Sequence, residues 1–492
     1  MSKKIRLLRI KYLSIPVQVK ASIWFLICSL LQKGLSIITI PIFTRLMTTE
    51  QYGYYTTYIS WYNILLVFTS LNLFYGVYNN AMMKFKEDRA GYTSSMQGLI
   101  WMTTGIFFVL YLKWQNEVNL FLGMNTALVL MLFTELLLTP ALQFWMASKR
   151  FEFKYRPIVI VTMIKTIANP VLGFILVLLC EQRDIARIVS VVIVEGALCL
   201  AITVYQFYKG KKFFSKEYWK YALLFNIPLL PHYLSGQILS QSDRIMISKM
   251  VGNEEVAIYS VAYNIGLLMN IFTSAINGSY TPWFYQNLEK GRHSQIQKVT
   301  TTIMYIMAAL IILLMLWGPE AIAVLGSSEY RGGIYAVPPV AAGAFFMFLY
   351  NIFANIEFYY EKKGYVLFSS VAAALLNILL NFIFIPMYGY VAAAYTTLAC
   401  YIVYSLLHNY FARYICREKT IPETILCSKT VLNLSVLIVG TALMMNVLYK
   451  YTWIRYGLIL IGLFALIVKR KKIVSVTGDM FSMVNTQKNM HK

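Results

Sequence analysis

Long apolar runs constrain this chain more than any other feature of its sequence. A run of about 20 apolar residues is long enough to cross the hydrocarbon core of a bilayer as a helix. Of the 492 residues, 59% are hydrophobic and 13% are charged, and the mean hydropathy is +0.60. Runs of spanning length lie at roughly 21–44, 54–78, 92–112, 120–147, 157–180, 185–208, 220–248, 256–282, 299–325, 332–360, 365–386, 389–412, 430–449 and 452–468.

Run length also decides the fold class. Strands of a membrane barrel are short and alternate in polarity, whereas these runs are long and continuously apolar. The sequence therefore predicts an all-α polytopic membrane protein with about fourteen transmembrane helices.

The positive charge orients the predicted helices. The formal net charge is +23, and most lysines and arginines lie in alternate connectors, as expected for cytoplasmic loops. Both termini are then predicted to be cytoplasmic. The basic start, residues 1–20, precedes a run too long for a cleaved signal peptide, so we interpret 21–44 as a retained span. No basic domain with interleaved aromatic residues exists to hold a nucleic acid.

One junction between apolar runs occurs twice. Residues Arg45 to Tyr55 correspond without a gap to Lys249 to Tyr259, a shift of 204, and Asn169 corresponds to Asn377 at a shift of 208. Two halves with the same helix order are a common plan for transporters, with the substrate held between them. The predicted domains are a six-helix lobe at 1–215, a second at 216–425, and two additional helices with a basic tail at 426–492.

The connectors are too short to fold as catalytic domains, and no phosphate-binding loop, zinc-protease motif or nucleophile elbow occurs. The six cysteines follow no metal spacing and suggest no disulfide framework. The sequence therefore predicts a protein that is not an enzyme and has neither a metal nor a cofactor.

Ionisable residues lie deep inside several runs. A charge at membrane depth costs at least ~2.5–3.5 kcal/mol, so such residues face the bundle interior or a wet cavity and are candidate functional groups. Five sites have this character: Lys33, Glu135, Lys165, Glu195 and the adjacent pair Asp243-Arg244.

Polar neighbours extend two of these sites. Gln32 precedes Lys33, and under the repeat its surroundings correspond to those of Gln237. Together the residues suggest a water-filled central cavity of net positive character, suited to a phosphate or pyrophosphate. A structural interpretation also stays open, in which Asp243-Arg244 is a pair at the outer rim and Glu135 bridges to Lys165.

Four stretches resemble one protein family. They are Arg45-Leu46-x-Thr48-x-Glu50-x-Tyr52-Gly53, the segment from Gly252 to Tyr263, the segment from Gly326 to Tyr330, and Asn377 to Asn381 running on to Gly389. These stretches are similar to the bacterial polysaccharide-transport proteins, the Wzx-type oligosaccharide flippases, and they extend over nearly all of the chain outside the tail.

The resemblance implies a fold and an activity. The fold would be the two-lobed bundle of the MATE exporters and the lipid II flippase, with six helices per lobe and a cavity between the lobes. The activity would be movement of an oligosaccharide linked to undecaprenyl diphosphate from the inner to the outer leaflet of the bacterial plasma membrane, with glycan-assembly proteins as candidate partners. The lipid tail would stay in the bilayer.

Roles follow from that expectation. Lys33, Lys165 and Arg244 would attract the pyrophosphate, with Gln32 and Gln237 beside them. Asp243 would position Arg244 or titrate, and Glu135 and Glu195 would pair with the lysines and carry a coupling proton or sodium ion. Arg45 would help to gate the outer mouth, or serve a structural role in its connector.

Two other classes compete with a flippase of this kind. An exporter of drugs or small solutes on the same bundle would need an acidic cavity for cationic substrates. A lipid II-type flippase would carry several arginines in its first lobe, where this chain has Lys33 and Lys165.

Overall fold

The computed structural model describes residues 17–468, and this part of the chain is built of α-helices joined by short connectors. The basic start and the basic tail used to orient the chain lie largely outside the described residues. In the first half the helices are α1 (Val17–Leu46), α2 (Thr49–Ser70), α3 (Val77–Lys84), α4 (Arg89–Lys113), α5 (Gln115–Leu122), α6 (Thr126–Phe151), α7 (Tyr155–Leu179), α8 (Arg183–Gly210) and α9 (Lys216–Asn226). In the second half they are α10 (Leu230–Met250), α11 (Asn253–Leu267), α12 (Met269–Glu289), α13 (His293–Leu316), α14 (Gly318–Leu325), α15 (Val337–Tyr359), α16 (Lys363–Tyr388), α17 (Tyr390–Glu418), α18 (Ser428–Leu448) and α19 (Thr452–Val468).

Eleven helical segments among the described residues are long and apolar enough to cross a membrane, and one of them comprises α11 and α12 together. The prediction of an all-α polytopic membrane protein is thus confirmed. The helices α2, α10 and α19 are not among the eleven, because the first two carry many polar residues and α19 has 17 residues. The total of fourteen spans stays a prediction.

Several predicted spans are interrupted. The run 54–78 breaks after Ser70, where Leu71 and Asn72 have positive φ and Gly76 precedes α3. The run 220–248 breaks at a 3-10 turn, Ile227–Leu229, because Pro228 has no amide hydrogen for a helical bond. A proline in the sequence marks this break. No proline marks the break after Ser70, and the sequence predicts 54–78 as one span.

The predicted span 299–325 was wrong at its end. Helix α13 ends at Leu316, and the short helix α14 follows it as a separate element outside the eleven spanning helices. Trp317 alone separates the two helices, and Pro319 at the second position of α14 favours the start of a new helix.

The chain divides into two compact units. The first comprises residues up to 47 together with 58–234, and the second comprises 48–57 together with residues from 235 onward. The first has a core of buried residues that includes Tyr78, Met96, Ile100 and Phe144. The core of the second includes Met304, Phe345 and Phe348, and residues of α18 and α19 such as Ile438 and Ile459 belong to it.

The two copies of the repeated junction meet inside the second unit. The Cα of Gly53, in the first copy, lies so close to Asn253, in the second, that a Cβ built on it would be 1.7 Å from the Asn253 carbonyl oxygen. Glycine is required here because only its missing side chain allows this approach.

Candidate functional site

Lys165 and Glu195 form an ion pair in the first unit. Lys165 is on α7 and Glu195 on α8, and the ammonium nitrogen lies 2.9 Å from a carboxylate oxygen. The side chain of Lys165 is 28% exposed and that of Glu195 is 16% exposed, so the pair is neither fully buried nor fully solvated. Partial burial leaves the ammonium accessible to a further anion.

Glu135 is close to this pair and has different partners from those predicted. Its carboxylate is 2% exposed and accepts a hydrogen bond of 2.7 Å from the hydroxyl of Tyr58. Among the described residues it forms no ion pair with a lysine, although the charges of Lys165 and Glu195 lie near enough to act on it. The predicted bridge from Glu135 to Lys165 is replaced by the bond to Tyr58, because the tyrosine hydroxyl is the nearer donor.

Lys33 lies on α1, where both it and Gln32 are half-buried. Within residues 17–468, its ammonium makes no ion pair or hydrogen bond. A lysine inside an apolar helix without a counter-ion is costly unless water or an anion reaches it. The role of Lys33 in binding an anionic ligand stays a prediction.

Arg45 lies in the last turn of helix α1 and is exposed. Its guanidinium donates a hydrogen bond of 3.0 Å to the carbonyl oxygen of Pro41, one turn earlier. This contact fits the structural role considered for Arg45.

Asp243 is the centre of a buried polar network in the second unit. Its carboxylate has no exposed surface and accepts hydrogen bonds from Tyr259 at 2.5 Å, Thr397 at 2.7 Å and Asn381 at 2.6 Å. Asn377 extends the network by donating to the hydroxyl of Thr397 at 3.1 Å. The donors come from α11, α16 and α17, so the carboxylate joins three helices to α10.

Arg244 does not contact the carboxylate of the preceding Asp243. Its guanidinium bonds Ser260 at 3.1 Å and the carbonyl oxygen of Ser240 at 2.8 Å, and it stacks over the ring of Tyr263 at 4.5 Å. Consecutive residues on a helix point about 100° apart, so the two side chains leave α10 in different directions. The prediction that Asp243 positions Arg244 does not match this geometry.

The predicted site residues of the second unit differ in how deeply they are buried. Asp243 and Arg244 are both buried, at 0% and 7% exposure, whereas Gln237 is half-buried. In this conformation a substrate therefore cannot touch Asp243. The charge of the carboxylate is met by its three close donors, Tyr259, Thr397 and Asn381, and the charge of Arg244 acts on it without a direct contact.

Sequence reasoning missed the partners of Asp243 and a second buried acid. Asn377 and Asn381 are one helical turn apart, a spacing that puts both on one face, but polar residues at such spacing also bond neighbouring helices without further function. Glu357 escaped notice because it is one turn from the end of its run. It contacts His408 at 2.8 Å, and neither side chain is exposed.

An apolar groove of about 810 Å³ lies on the second unit, between α13, α18 and α19. Its walls include exposed side chains such as Tyr305, Leu437, Met444 and Ile461. Because these side chains are large, apolar and uncovered within the described residues, the groove suits a hydrocarbon chain.

Basic connectors are ion-paired in part. Between α6 and α7, the hydrogen bond from Lys154 to Glu152 raises the pKa of the lysine, and the two groups are 2.9 Å apart. In the connector after α8, a hydrogen bond to Asp88 likewise raises the pKa of Lys212. These lysines stay charged at neutral pH, as the orientation argument requires.

Two family models match the sequence. The model described as "Polysaccharide biosynthesis protein" matches residues 19–288, and the MatE model matches residues 228–383. One curated relative is the "Lsg locus putative protein 1" of Haemophilus influenzae, 26% identical over 174 residues, which are 34% of this chain and 43% of the relative. The matched segments cover between 43% and 66% of the curated relatives' own length.

Solved structures share the fold. The lipid II flippase MurJ in an inward closed conformation matches with a TM-score of 0.66 at 17% identity, over 92% of this chain and all of that one. A multidrug resistance MATE family transporter of the MOP superfamily, in an inward-facing conformation, matches with a TM-score of 0.58 at 13% identity, over 79% and 96% of the two chains. The MATE-like and MurJ-like fold predicted from the sequence is confirmed.

Proposed function

We propose, from the premise that this chain belongs to the polysaccharide biosynthesis protein family of MOP-type membrane proteins, that it is a flippase for a lipid-linked oligosaccharide. Its substrate would be an oligosaccharide on polyprenyl diphosphate, moved from the cytoplasmic to the outer leaflet of the bacterial plasma membrane for a surface polysaccharide. Both termini would be cytoplasmic, and the protein would act as a transporter and not as an enzyme.

Lys33 is the observation that carries the proposal. It is a half-buried ammonium on an apolar helix, without an ion pair or hydrogen bond among the described residues. A pyrophosphate would supply the missing anion, because two phosphate groups offer several charged oxygens to a lysine. Lys165, half-buried 2.9 Å from Glu195, is a second cation on the same unit.

The apolar groove supports a lipid carrier. A polyprenyl tail needs an uncovered apolar surface, and the second unit offers one in the groove of about 810 Å³ between α13, α18 and α19. The tail would lie along this groove while remaining in the bilayer.

Transport against a gradient needs a coupled ion. Asp243 is a candidate carboxylate for that ion, because it is fully buried at the meeting point of α10, α11, α16 and α17, with Tyr259, Asn381 and Thr397 around it. Binding of a proton or a sodium ion would neutralise a charge whose burial is otherwise costly.

The experiment that tests the proposal is analysis of lipid-linked glycans in a strain lacking this protein, with labelling confined to one face of the membrane. We expect undecaprenyl-linked oligosaccharide to accumulate on the cytoplasmic face and surface glycan to be lost. Unchanged lipid intermediates together with new sensitivity to cationic toxins would instead establish a drug exporter, the second candidate, which the MatE match at 228–383 favours.

Variants at Lys33 sharpen that test. Lys33→Gln removes the charge and Lys33→Arg keeps it, while Lys113→Gln removes a charge from the exposed end of α4. At equal membrane levels, we expect Lys33→Gln to lower export by about tenfold, the effect of losing about 1.4 kcal/mol of anion binding, and the other two to export normally. Full export by Lys33→Gln would remove the cationic site from the mechanism.

A further inference from the structure

Lys165 is held by Glu195 through a single contact. The ammonium nitrogen on α7 lies 2.9 Å from one carboxylate oxygen on α8, and neither group makes a further hydrogen bond among the described residues. Both side chains keep some exposure to solvent. A pair of this kind is held weakly, because water screens the attraction and both flexible side chains lose freedom when they are ordered.

The ion pair between Arg455 and Glu320, in the second unit, is built differently. Both terminal nitrogens of the guanidinium contact the carboxylate, and the hydroxyl of Tyr456 donates to it as well. Arg455 is buried, so loss of the carboxylate would leave a buried cation without its anion. The pair of Lys165 and Glu195 has one contact and no such burial, so its carboxylate is able to leave.

Helices α1 and α7 run parallel in the first unit. Towards their starts, the rings of Trp24 and Tyr155 stack with centroids 6.3 Å apart. Towards their ends, the ring of Phe43 lies against Gly173, where an added Cβ would be 3.0 Å from it. These two contacts fix the height of each residue of α1 relative to α7.

Lys33 and Lys165 come to the same height in this arrangement. Lys33 is nine residues after the first contact on α1, and Lys165 is ten residues after it on α7. Counted back from the second contact, the separations are ten and eight residues. At 1.5 Å per residue, the two backbone positions differ by no more than about 3 Å along the helices. Two cations and one carboxylate, that of Glu195, therefore lie at one level of the first unit.

A diphosphate would compete with Glu195 for Lys165. Phosphate oxygens accept strong charge-assisted hydrogen bonds from an ammonium, and two linked phosphates are able to contact two cations at once. The carboxylate, by contrast, contacts one of the two lysines through one oxygen. Once displaced, it would be hydrated, because the side chain of Glu195 is partly exposed.

We propose that Glu195 is an exchangeable counter-ion, which pairs with Lys165 when no anion is bound and gives way to a phosphate group of the substrate. Lys33 and Lys165 then hold the two phosphates together. When the substrate leaves, the carboxylate returns to Lys165 and hinders rebinding, so release is favoured. The inference rests on the proposed function for the identity of the anion, a diphosphate.

Binding of inorganic pyrophosphate to the purified full-length protein in lipid nanodiscs tests the exchange. Glu195→Gln removes the competing charge, so we expect pyrophosphate to bind about fivefold more tightly, the factor that corresponds to about 1 kcal/mol for a half-exposed ion pair. Loss of a merely structural contact would not tighten binding.

The matched control is Glu117→Gln, which removes an exposed acid on α5 of the same unit. We expect this variant to bind pyrophosphate as the unchanged protein does. Unchanged or weakened binding by Glu195→Gln would overturn the proposal, and so would equal tightening by both variants, because the effect would then be one of net charge.

Chemical labelling tests the exchange in the unchanged protein, so it does not depend on the folding of a variant. We expect pyrophosphate to protect both Lys33 and Lys165 from a water-soluble acylating reagent, with the labelled sites located by peptide mass. Lys113, exposed at the end of α4, is the internal control and should label equally with and without pyrophosphate.

Each failure of protection has a definite meaning. Labelling of Lys165 that pyrophosphate leaves unchanged would mean that Glu195 keeps this lysine. Labelling of Lys33 that pyrophosphate leaves unchanged would mean that the two cations do not act together. Either result would overturn the proposal.

This proposal and the proposed function fail separately. Loss of glycan export on deletion, with pyrophosphate binding unaffected by Glu195→Gln, would leave the flippase and remove the counter-ion exchange. Normal glycans on deletion, with tighter binding by Glu195→Gln and joint protection of Lys33 and Lys165, would leave an exchangeable anion site and remove the lipid-linked oligosaccharide as its ligand.

Discussion

The hydroxyl of Tyr259 lies 2.5 Å from the carboxylate of Asp243, and both side chains are completely buried. Tyr259 belongs to the second copy of the repeated junction, so the repeat ends on the residue that holds the buried acid of the second unit. The carboxylate has two other close donors, Thr397 and Asn381.

Tyr259→Phe removes one of three close donors from this carboxylate. A buried charged acceptor that loses a hydrogen bond costs about 1.5–3 kcal/mol, so we expect the thermal unfolding midpoint of the purified protein to fall. The control is Tyr208→Phe, at a side chain that is 79% exposed, and we expect it to leave the unfolding midpoint unchanged. An unaltered unfolding midpoint for Tyr259→Phe would show that the hydrogen bonds from Thr397 and Asn381 are enough to stabilise the Asp243 carboxylate.

Exchange of the charges in the Lys165–Glu195 pair separates structure from binding. Lys165→Gln or Glu195→Gln alone breaks a half-buried ion pair, with an expected loss of about 1 kcal/mol of stability. The double variant Lys165→Glu with Glu195→Lys keeps a pair of opposite charges and should restore the unfolding midpoint.

Export of the lipid-linked oligosaccharide should not return in the same double variant, because the cation then stands on α8 instead of α7. Lipid-linked glycan analysis at matched membrane levels measures this. Recovery of export together with stability would mean that the pair serves only to join the two helices.

Gly53→Ala tests the close approach of the two junction copies. A Cβ at Gly53 would lie 1.7 Å from the carbonyl oxygen of Asn253, so the backbone of one copy must move. Overpacking of this kind costs about 1–3 kcal/mol or more, and we expect poor membrane levels and a lowered unfolding midpoint. The control is Gly440→Ala, where nothing lies within 4 Å of the new Cβ. We expect this variant to have the membrane level and the unfolding midpoint of the unchanged protein.

The fold could be predicted because lipid leaves a chain few choices. Backbone groups in hydrocarbon must bond within the chain, so long apolar runs become helices wherever they occur. Breaks were predictable only where a proline caused them, as at Pro228. The break at Leu71 and Asn72 depends on a tertiary contact, the side-chain amide of Asn226, which donates to both carbonyl oxygens at 2.9 Å.

The candidate site was harder to predict, because the sequence shows which residues are charged and not where they point. Asp243 and Arg244 are adjacent in sequence and were interpreted as one site, yet they leave α10 in different directions. Glu135 was assigned a lysine and is bonded to Tyr58 instead. Glu357 and His408 are 51 residues apart, and only packing of α15 on α17 brings them together.

Acid should weaken the attachment of the last helix. Glu320, on the short helix α14 outside the spanning helices, accepts hydrogen bonds from Arg455 at 2.6 Å and Tyr456 at 2.9 Å. Burial acts to raise the pKa of Glu320, but these hydrogen bonds outweigh it and hold the pKa below its usual range.

A carboxyl group whose pKa is lower in the folded state stabilises the fold above its unfolded pKa of about 4.3. That stabilisation is lost as the pH falls through the still lower folded pKa. We therefore expect Glu320→Gln to lower the unfolding midpoint at neutral pH, by roughly 2 kcal/mol in free energy, since Arg455 is 3% exposed and would lose its carboxylate. The difference between the unchanged protein and Glu320→Gln should shrink steadily below about pH 4.3, because acid protonates the native carboxylate.

Glu329→Gln, at an exposed glutamate between α14 and α15, controls for a general effect of losing one negative charge. It should leave the midpoint unchanged at neutral pH. A difference between the unchanged protein and Glu320→Gln that stays constant down to about pH 3 would contradict the assignment, because it would mean that the carboxylate's charge does not hold Arg455 in place.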